Sequence, residues 1–244
     1  MKIKGVMAGF ILVVIVVGGL FYTFGRSYWY PIYIKIVGKV SIVDVVERYK
    51  GSALERIKSD FQLANVTFPP KELAFLAIKE SNDFELWARN EAQWQLIKNY
   101  QIKAASGVLG PKLREGDRQV PEGIYQVSWL NPNSSYHLSL KLNYPNEFDL
   151  KWAQEESRLE PGTNIFIHGK AVSIGCLAMG DLAIEELFLL SELVGKEQVK
   201  VIISPVDPRL KTLTNPDPEK EWVDVLYRDI NNAFLSITEN RNNI

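Results

Sequence analysis

From Gly5 to Gly25 the chain runs for 21 residues without a charged side chain, through Phe10-Ile11-Leu12-Val13-Val14-Ile15-Val16-Val17. As a helix this run is about 31 Å long at ~1.5 Å per residue, which matches a bilayer core of roughly 30 Å. It has no polar face with which to border water, so it does not read as an ordinary core helix. Lys2 and Lys4 precede it. The run is longer than the ~7–15 residue apolar region of a cleaved signal. Thr23-Phe24-Gly25 is also not an Ala-x-Ala cleavage site. The pattern predicts an uncleaved signal-anchor helix over residues 1–26, with secretion after signal cleavage as the alternative. Arg26, Lys35 and Lys39 on the far side offset Lys2 and Lys4, so the flanking charges do not fix orientation. Tyr28, Trp29, Tyr30 and Tyr33 read as an interfacial aromatic belt.

The remainder is long enough for one sizeable domain with accessories. With 28 basic and 29 acidic side chains the net charge is -1, which argues against a charge-driven nucleic-acid binder. One cysteine and two histidines exclude an intrachain disulfide and a four-ligand Cys/His zinc site. Any thiol–imidazole pair must join Cys176 to His137 or His168.

Ser41 to Leu63 reads as a helical arm, with Val45, Val46, Tyr49, Leu54, Ile57 and Phe61 at three- and four-residue steps and a possible break at Gly51-Ser52. Phe68-Pro69-Pro70 punctuates the chain. Leu73–Ile78, Phe84–Arg89 and Gln93–Lys98 then form three short runs with turn residues between them, which predicts a β-meander. Strands follow at Ile124–Val127, Tyr136–Leu142, Thr163–His168 and Val199–Ser204, with loops at Asn131-Pro132-Asn133 and Asn143-Tyr144-Pro145-Asn146. A helix over Leu182–Val194 is expected to be capped by Asp181 and stopped by Gly195. Glu219–Thr238 predicts a terminal helix, followed by a polar, frayed tail. The pattern is α+β: mainly β with helices.

One segment carries chemistry: Ile167-His168-Gly169-Lys170-Ala171-Val172-Ser173-Ile174-Gly175-Cys176-Leu177-Ala178-Met179. A strand delivers the histidine, and a Ser/Gly loop delivers the cysteine. A thiol becomes a good nucleophile at neutral pH when a base takes its proton, and an imidazole at a strand end can be that base. Glycine before the cysteine permits an unusual backbone angle. It leaves the amides of Gly175 and Cys176 free to face a developing oxyanion.

This segment resembles the signature of the L,D-transpeptidase (YkuD) catalytic-domain family, whose cysteine attacks peptidoglycan stem peptides. Gly116-Asp117-Arg118-Gln119-Val120-Pro121-Glu122-Gly123-Ile124-Tyr125 is similar to the family's Gly-Asp-x-x-x-Pro-x-Gly-x-Tyr element. Ser135–Leu140 and Asn143–Asn146 resemble its YafK-type branch. So do the departures from the common signature: Ile174 where a histidine is usual, a His168-to-Cys176 step of only eight, and Leu177-Ala178 after the cysteine.

The resemblance implies a YkuD-like β-sandwich or barrel over residues 69–206, a helical spacer over 27–68 and a helical extension over 207–244. It implies Cys176 as nucleophile and His168 as general base and then acid, oriented by the Gly169 carbonyl. Gly175, Gly169 and Ser173 serve as oxyanion or loop support. Tyr144, Asn146 and His137 are candidate substrate-side residues, His137 also as a structural one. No metal or cofactor is implied. The expected partners are peptidoglycan stem peptides, a wall-linked lipoprotein as a further candidate, and the membrane through the anchor, with no nucleic acid. The expected location is the bacterial cytoplasmic membrane, with the domain facing the cell wall. Two alternatives stay open: a hydrolase of the same family that releases wall-linked lipoprotein or trims stems, and a tethered wall-binding module without turnover.

Overall fold

The computed structural model describes residues 2–239, so the polar tail lies beyond the described residues. Helix α1 (Lys2–Phe24) and helix α2 (Arg26–Val37) meet at Gly25 with a bend of 78°. Among the described residues no single helix is long and apolar enough to cross a membrane, but this bent pair passes that test jointly. The belt aromatics cluster on α2, where Trp29, Tyr30 and Tyr33 pack ring on ring and Arg26 lies over Trp29 and Tyr30.

Helix α3 (Ile42–Leu63) opens with a capping box in which Ser41 and Asp44 satisfy each other's amides. It runs unbroken through Gly51-Ser52, the position of the candidate break. Ala53 and Ile57 are fully buried beyond that point, so tertiary packing outweighs the ~1 kcal/mol helix cost of a glycine.

The expected meander is present as β1 (Glu72–Ile78), β2 (Asp83–Arg89) and β3 (Gln95–Gln101), paired antiparallel. Next come β4 (Gly123–Ser134), β5 (His137–Leu142), helix α4 (Glu147–Glu155), β6 (Phe166–His168) and β7 (Leu177–Ala178). Helix α5 (Asp181–Val194), β8 (Val199–Ser204) and helix α6 (Trp222–Thr238) complete the chain.

Two expectations are corrected here, and one element is added. Asn131-Pro132-Asn133 belongs to β4 rather than to a loop. Helix α4, capped by Asn146, follows the Asn143–Asn146 turn where the sequence reading placed no element. Helix α5 has Gly180, not Asp181, at its cap. Asp181 instead reaches back to Lys170, accepting from its backbone amide at 2.9 Å and from its ammonium group at 2.5 Å.

All eight strands form one sheet in the order β3-β2-β1-β8-β4-β5-β6-β7. Pairing is antiparallel except at β1–β8 and β6–β7. Two register shifts in β4 bend the sheet. The curl brings its two edges together: Lys103, just after β3, donates its amide to the Ala178 carbonyl on β7 at 2.7 Å, and Ala104 bridges Ala178.

Side chains alternate across this curl. Leu73, Phe75 and Ala77 of β1 face a core shared with Val45, Ile57 and Phe61 of α3 and with Leu187 and Phe188 of α5. Ala74, Leu76 and Ile78 face a second core capped by Trp222, Leu226, Ile230 and Phe234 of α6. Central strand β1 is therefore apolar on both faces. In β5 and β6, by contrast, only Leu138, Leu140, Leu142 and Ile167 join the core. The opposite face presents Ser139, Phe166 and His168, and there the site is built.

Candidate active site

His168 ends β6, and the parallel partner β7 begins one residue after Cys176. The pairing Ile167↔Leu177 and His168↔Ala178 sets Cys176 beside Phe166, diagonal to the histidine. The loop between them is tied down at both ends. Gly169 donates its amide to Leu138 at 3.1 Å and Met179 donates to the His168 carbonyl at 2.8 Å.

The imidazole has one fixed orientation. His168 Nδ1 lies 2.6 Å from the Gly169 carbonyl oxygen. A carbonyl only accepts, so Nδ1 carries the proton and Nε2 keeps its lone pair. The residue is 3% exposed, and this burial holds its pKa below the ordinary value despite the opposing pull of the Gly169 bond. Tyr136 lies against the ring, centroid to centroid 4.9 Å.

Gly169 allows this arrangement. A β-carbon there would sit 2.7 Å from the Tyr136 carbonyl oxygen and 2.9 Å from Asp181 Oδ1.

Cys176 is partly buried, with its sulfur 3.8 Å from the Asn164 carbonyl. Burial raises the thiol pKa above its ordinary value. The Phe166 amide and the nearby Lys112 charge oppose that rise without cancelling it. Both shifts favour the uncharged forms of the thiol and the imidazole.

Gly175 has φ +85°, a left-handed angle that suits glycine. The expectation that the Gly175 and Cys176 amides are free is corrected. Gly175 donates to Ser106 Oγ at 2.6 Å and Cys176 to Ser173 Oγ at 3.0 Å. Ser173 in turn donates to the Cys176 carbonyl at 2.6 Å, so it clamps the nucleophile loop.

His168, Ser173 and Cys176 line one cavity of about 260 Å³, together with Asn131, Tyr136 and Ser139 among others. The three substrate-side candidates are absent from its lining. Tyr144 is buried in the core and donates to the Pro161 carbonyl at 2.8 Å. Asn146 caps α4 and donates to the Ile124 carbonyl at 3.0 Å. His137 Nε2 lies 3.0 Å from Glu185 Oε1, and its ring packs edge-on against Tyr49 of α3. All three side chains are engaged by other parts of the fold.

Sequence reading missed Ser106, Tyr136, Ser139 and Asn131. The one available signal was Ser139, a polar residue on the non-core side of an alternating strand.

The 116–125 element proves to be a brace. Asp117 accepts from the amides of Leu113, Arg114 and Gln119, each at 3.0 Å. Glu122 is buried in an ion pair with Lys79 at 2.8 Å and accepts from Gly110 N at 2.7 Å and Tyr227 OH at 2.7 Å. The segment ending at Ser106 is thereby held against the nucleophile loop. A larger hollow, about 1130 Å³, lies on the far side of this brace between Leu113, Arg158 and Lys220, and neither a thiol nor an imidazole lines it. Among the described residues no group of three or more His, Cys, Asp or Glu could hold a metal ion.

The YkuD family profile, described as the L,D-transpeptidase catalytic domain, matches residues 77–203. Putative L,D-transpeptidase YafK from Escherichia coli K12 is 39% identical over 132 residues, which is 52% of this chain and 51% of that protein. The O157:H7 protein of the same name matches equally. The chain thus spans about half the length of the curated relatives it matches. Among solved structures, the helical cell shape determining protein Pgp2 (K307A mutant) from Campylobacter jejuni aligns at TM-score 0.46 and 20% identity, covering 57% of this chain and 49% of that one. Bdellovibrio bacteriovorus Bd1075 aligns at TM-score 0.41 and 23% identity, covering 57% and 50%.

Proposed function

Since the chain belongs to the L,D-transpeptidase catalytic-domain family, we propose that it performs thiol-dependent acyl transfer on peptidoglycan stem peptides, with Cys176 as nucleophile and His168 as general base and acid. One observation carries this reading. The Gly169 carbonyl pins His168 Nδ1–H, and the opposite nitrogen belongs to a residue that shares a cavity with the chain's only cysteine. In the first step the sulfur attacks a stem amide carbonyl while His168 Nε2 takes the thiol proton. The tetrahedral intermediate collapses as His168 returns that proton to the departing amine, leaving a thioester on Cys176. An amine acceptor would then complete a cross-link, and water would complete a hydrolysis.

The test incubates the full chain in detergent with purified sacculi and analyses the muropeptides. New cross-links or trimmed and released products should appear with wild type and vanish with Cys176→Ala. Equal products from both proteins would leave a wall-binding module without thiol chemistry.

The uncharged run and the aromatic belt support a second part of the reading: α1 and α2 hold the domain at the outer face of the cytoplasmic membrane. Retention of the chain in the membrane pellet after alkaline carbonate extraction checks this. Release into the supernatant would refute it.

A further inference from the structure

A thioester on Cys176 must be resolved by a second nucleophile that approaches beside the same imidazole. Strand pairing aligns one row of residues across that region. Asn131 on β4 pairs with Ser139 on β5, and Ser139 pairs with His168 on β6. Laterally paired side chains on one face are neighbours. Cys176 approaches from the β7 side of the imidazole, and Ser139 flanks it from the β5 side. The histidine therefore stands between the thiol and a hydroxyl.

That hydroxyl is open. Ser139 is 2% exposed and lines the cavity, yet its side chain makes no hydrogen bond with any described residue. Of the other lining serines, Ser173 is committed to the nucleophile loop and Ser134 Oγ accepts from the Tyr136 amide at 3.1 Å, while Ser27 and Ser135 are also open; Ser139 is the one paired with His168. Asn131 uses its carbonyl oxygen to accept from the Asn133 amide at 3.0 Å, which leaves its NH2 group to donate. Among the described residues only Asp60 Oδ2 is fully enclosed without a partner, so the Ser139 hydroxyl is reached from the cavity and is free to bond a guest there.

The lining also says what kind of guest. No Lys, Arg, Asp or Glu lines the cavity. The Lys112 charge acts on Cys176 from outside the lining, but no ionised side chain meets the cavity surface, so a carboxylated or ammonium acceptor would find no direct ion pair to offset its lost hydration. An uncharged nucleophile would not.

Resting on the thiol chemistry proposed above, we propose that Ser139, with Asn131 beside it, positions the water that hydrolyses the Cys176 thioester. The water oxygen attacks the thioester carbonyl as its proton passes to His168 Nε2. The C–S bond then breaks, the sulfur leaves as thiolate and regains the proton from His168, and the acyl group departs as a free acid.

The experiment uses p-nitrophenyl acetate with the full chain in detergent. The nitrophenolate burst reports acylation of Cys176, and the steady state reports deacylation by water. Ser139→Ala should keep the burst rate within about twofold and slow the steady state roughly 10- to 100-fold, with the acetyl-enzyme accumulating by intact mass spectrometry. A parallel fall in the burst would mean that Ser139 acts through the imidazole, and an unchanged steady state would remove it from the second step. Either result overturns the proposal. Added D-alanine should leave the wild-type steady state unchanged. Acceleration with formation of N-acetyl-D-alanine would assign the subsite to an amine instead. A burst that survives in Cys176→Ala would sink the thiol reading itself, separately from the role of Ser139.

Discussion

Ser106 Oγ accepts the Gly175 amide at 2.6 Å while donating to the Arg118 carbonyl at 2.7 Å. One hydroxyl thereby joins the nucleophile loop to the brace, across 69 residues of sequence. Ser106→Ala would strand a buried amide, at a cost of about 1–3 kcal/mol. It would also release the residue before Cys176. The expected outcome is a lower urea midpoint of that size and acylation roughly 10-fold slower. Acylation at the wild-type rate would show that Ser173 alone fixes the loop.

The pH profile follows from burial. His168 is held below its ordinary 6.5, because burial penalises the imidazolium more than the Gly169 bond favours it. Its neutral form, the one able to accept a thiol proton, therefore persists below pH 6.5. The burst rate should rise with pH along an acid limb centred below 6.5, then level off. The stability linkage has the same sign. The unfolded histidine takes up a proton near 6.5 and the folded one does so only at lower pH, so stability falls as pH drops through that window. Burst kinetics between pH 4 and 8 check the first point, and an acid limb centred above 6.5 would contradict it.

The two glycines of the loop should respond differently to alanine. At Gly175 the nearest atom to an added β-carbon is 3.6 Å away, so the cost is the φ of +85° alone, about 1–2 kcal/mol. At Gly169 the β-carbon would lie 2.7 Å from the Tyr136 carbonyl, and relief would shift the Tyr136 strand turn or the carbonyl that holds His168. Gly169→Ala should lose acylation more severely than Gly175→Ala, even where thermal unfolding shows similar destabilisation. The reverse order of acylation rates would count against this account of the imidazole.

The legible parts of the site were those written locally in the chain. His168 and Cys176 stand eight positions apart with their glycines, and the strand–loop–strand that joins them needs no distant partner. Ser106, Ser139 and Asn131 arrive through strand register and curl, and a serine hydroxyl has no spacing signature of its own. Tyr144 and Asn146 sit in a turn-like stretch that looked like a pocket rim. Their side chains are consumed by the core and by the cap of α4, a nine-residue helix with only Ala153 buried and little periodicity to announce it. The meander was readable because β1 and β2 carry apolar runs between turn residues. The closure of the sheet at Ala178 was not, since it depends on bulges in β4.

The deepest electrostatic feature lies away from the thiol. Lys79 and Glu122 pair at 2.8 Å with side chains 6% and 0% exposed. Lys79 also donates to the carbonyls of Gly110 and Val120, at 3.0 and 3.1 Å. Burial depresses the lysine pKa, and the carboxylate only partly offsets that fall. An ion pair this buried gives little net stability when intact, because desolvation opposes the attraction. Breaking it is another matter. Lys79→Met fills the space but leaves Glu122 an uncompensated buried charge and frees two carbonyls of the brace, so a loss of about 3–5 kcal/mol is expected. Adding Glu122→Gln to Lys79→Met should recover part of that loss, since the amide oxygen can still accept from Gly110 N while its NH2 group donates to the Tyr227 hydroxyl oxygen, with no charge left buried. Urea midpoints for the two variants test this. A double variant no more stable than Lys79→Met alone would mean that the brace depends on the lysine's hydrogen bonds rather than on charge balance.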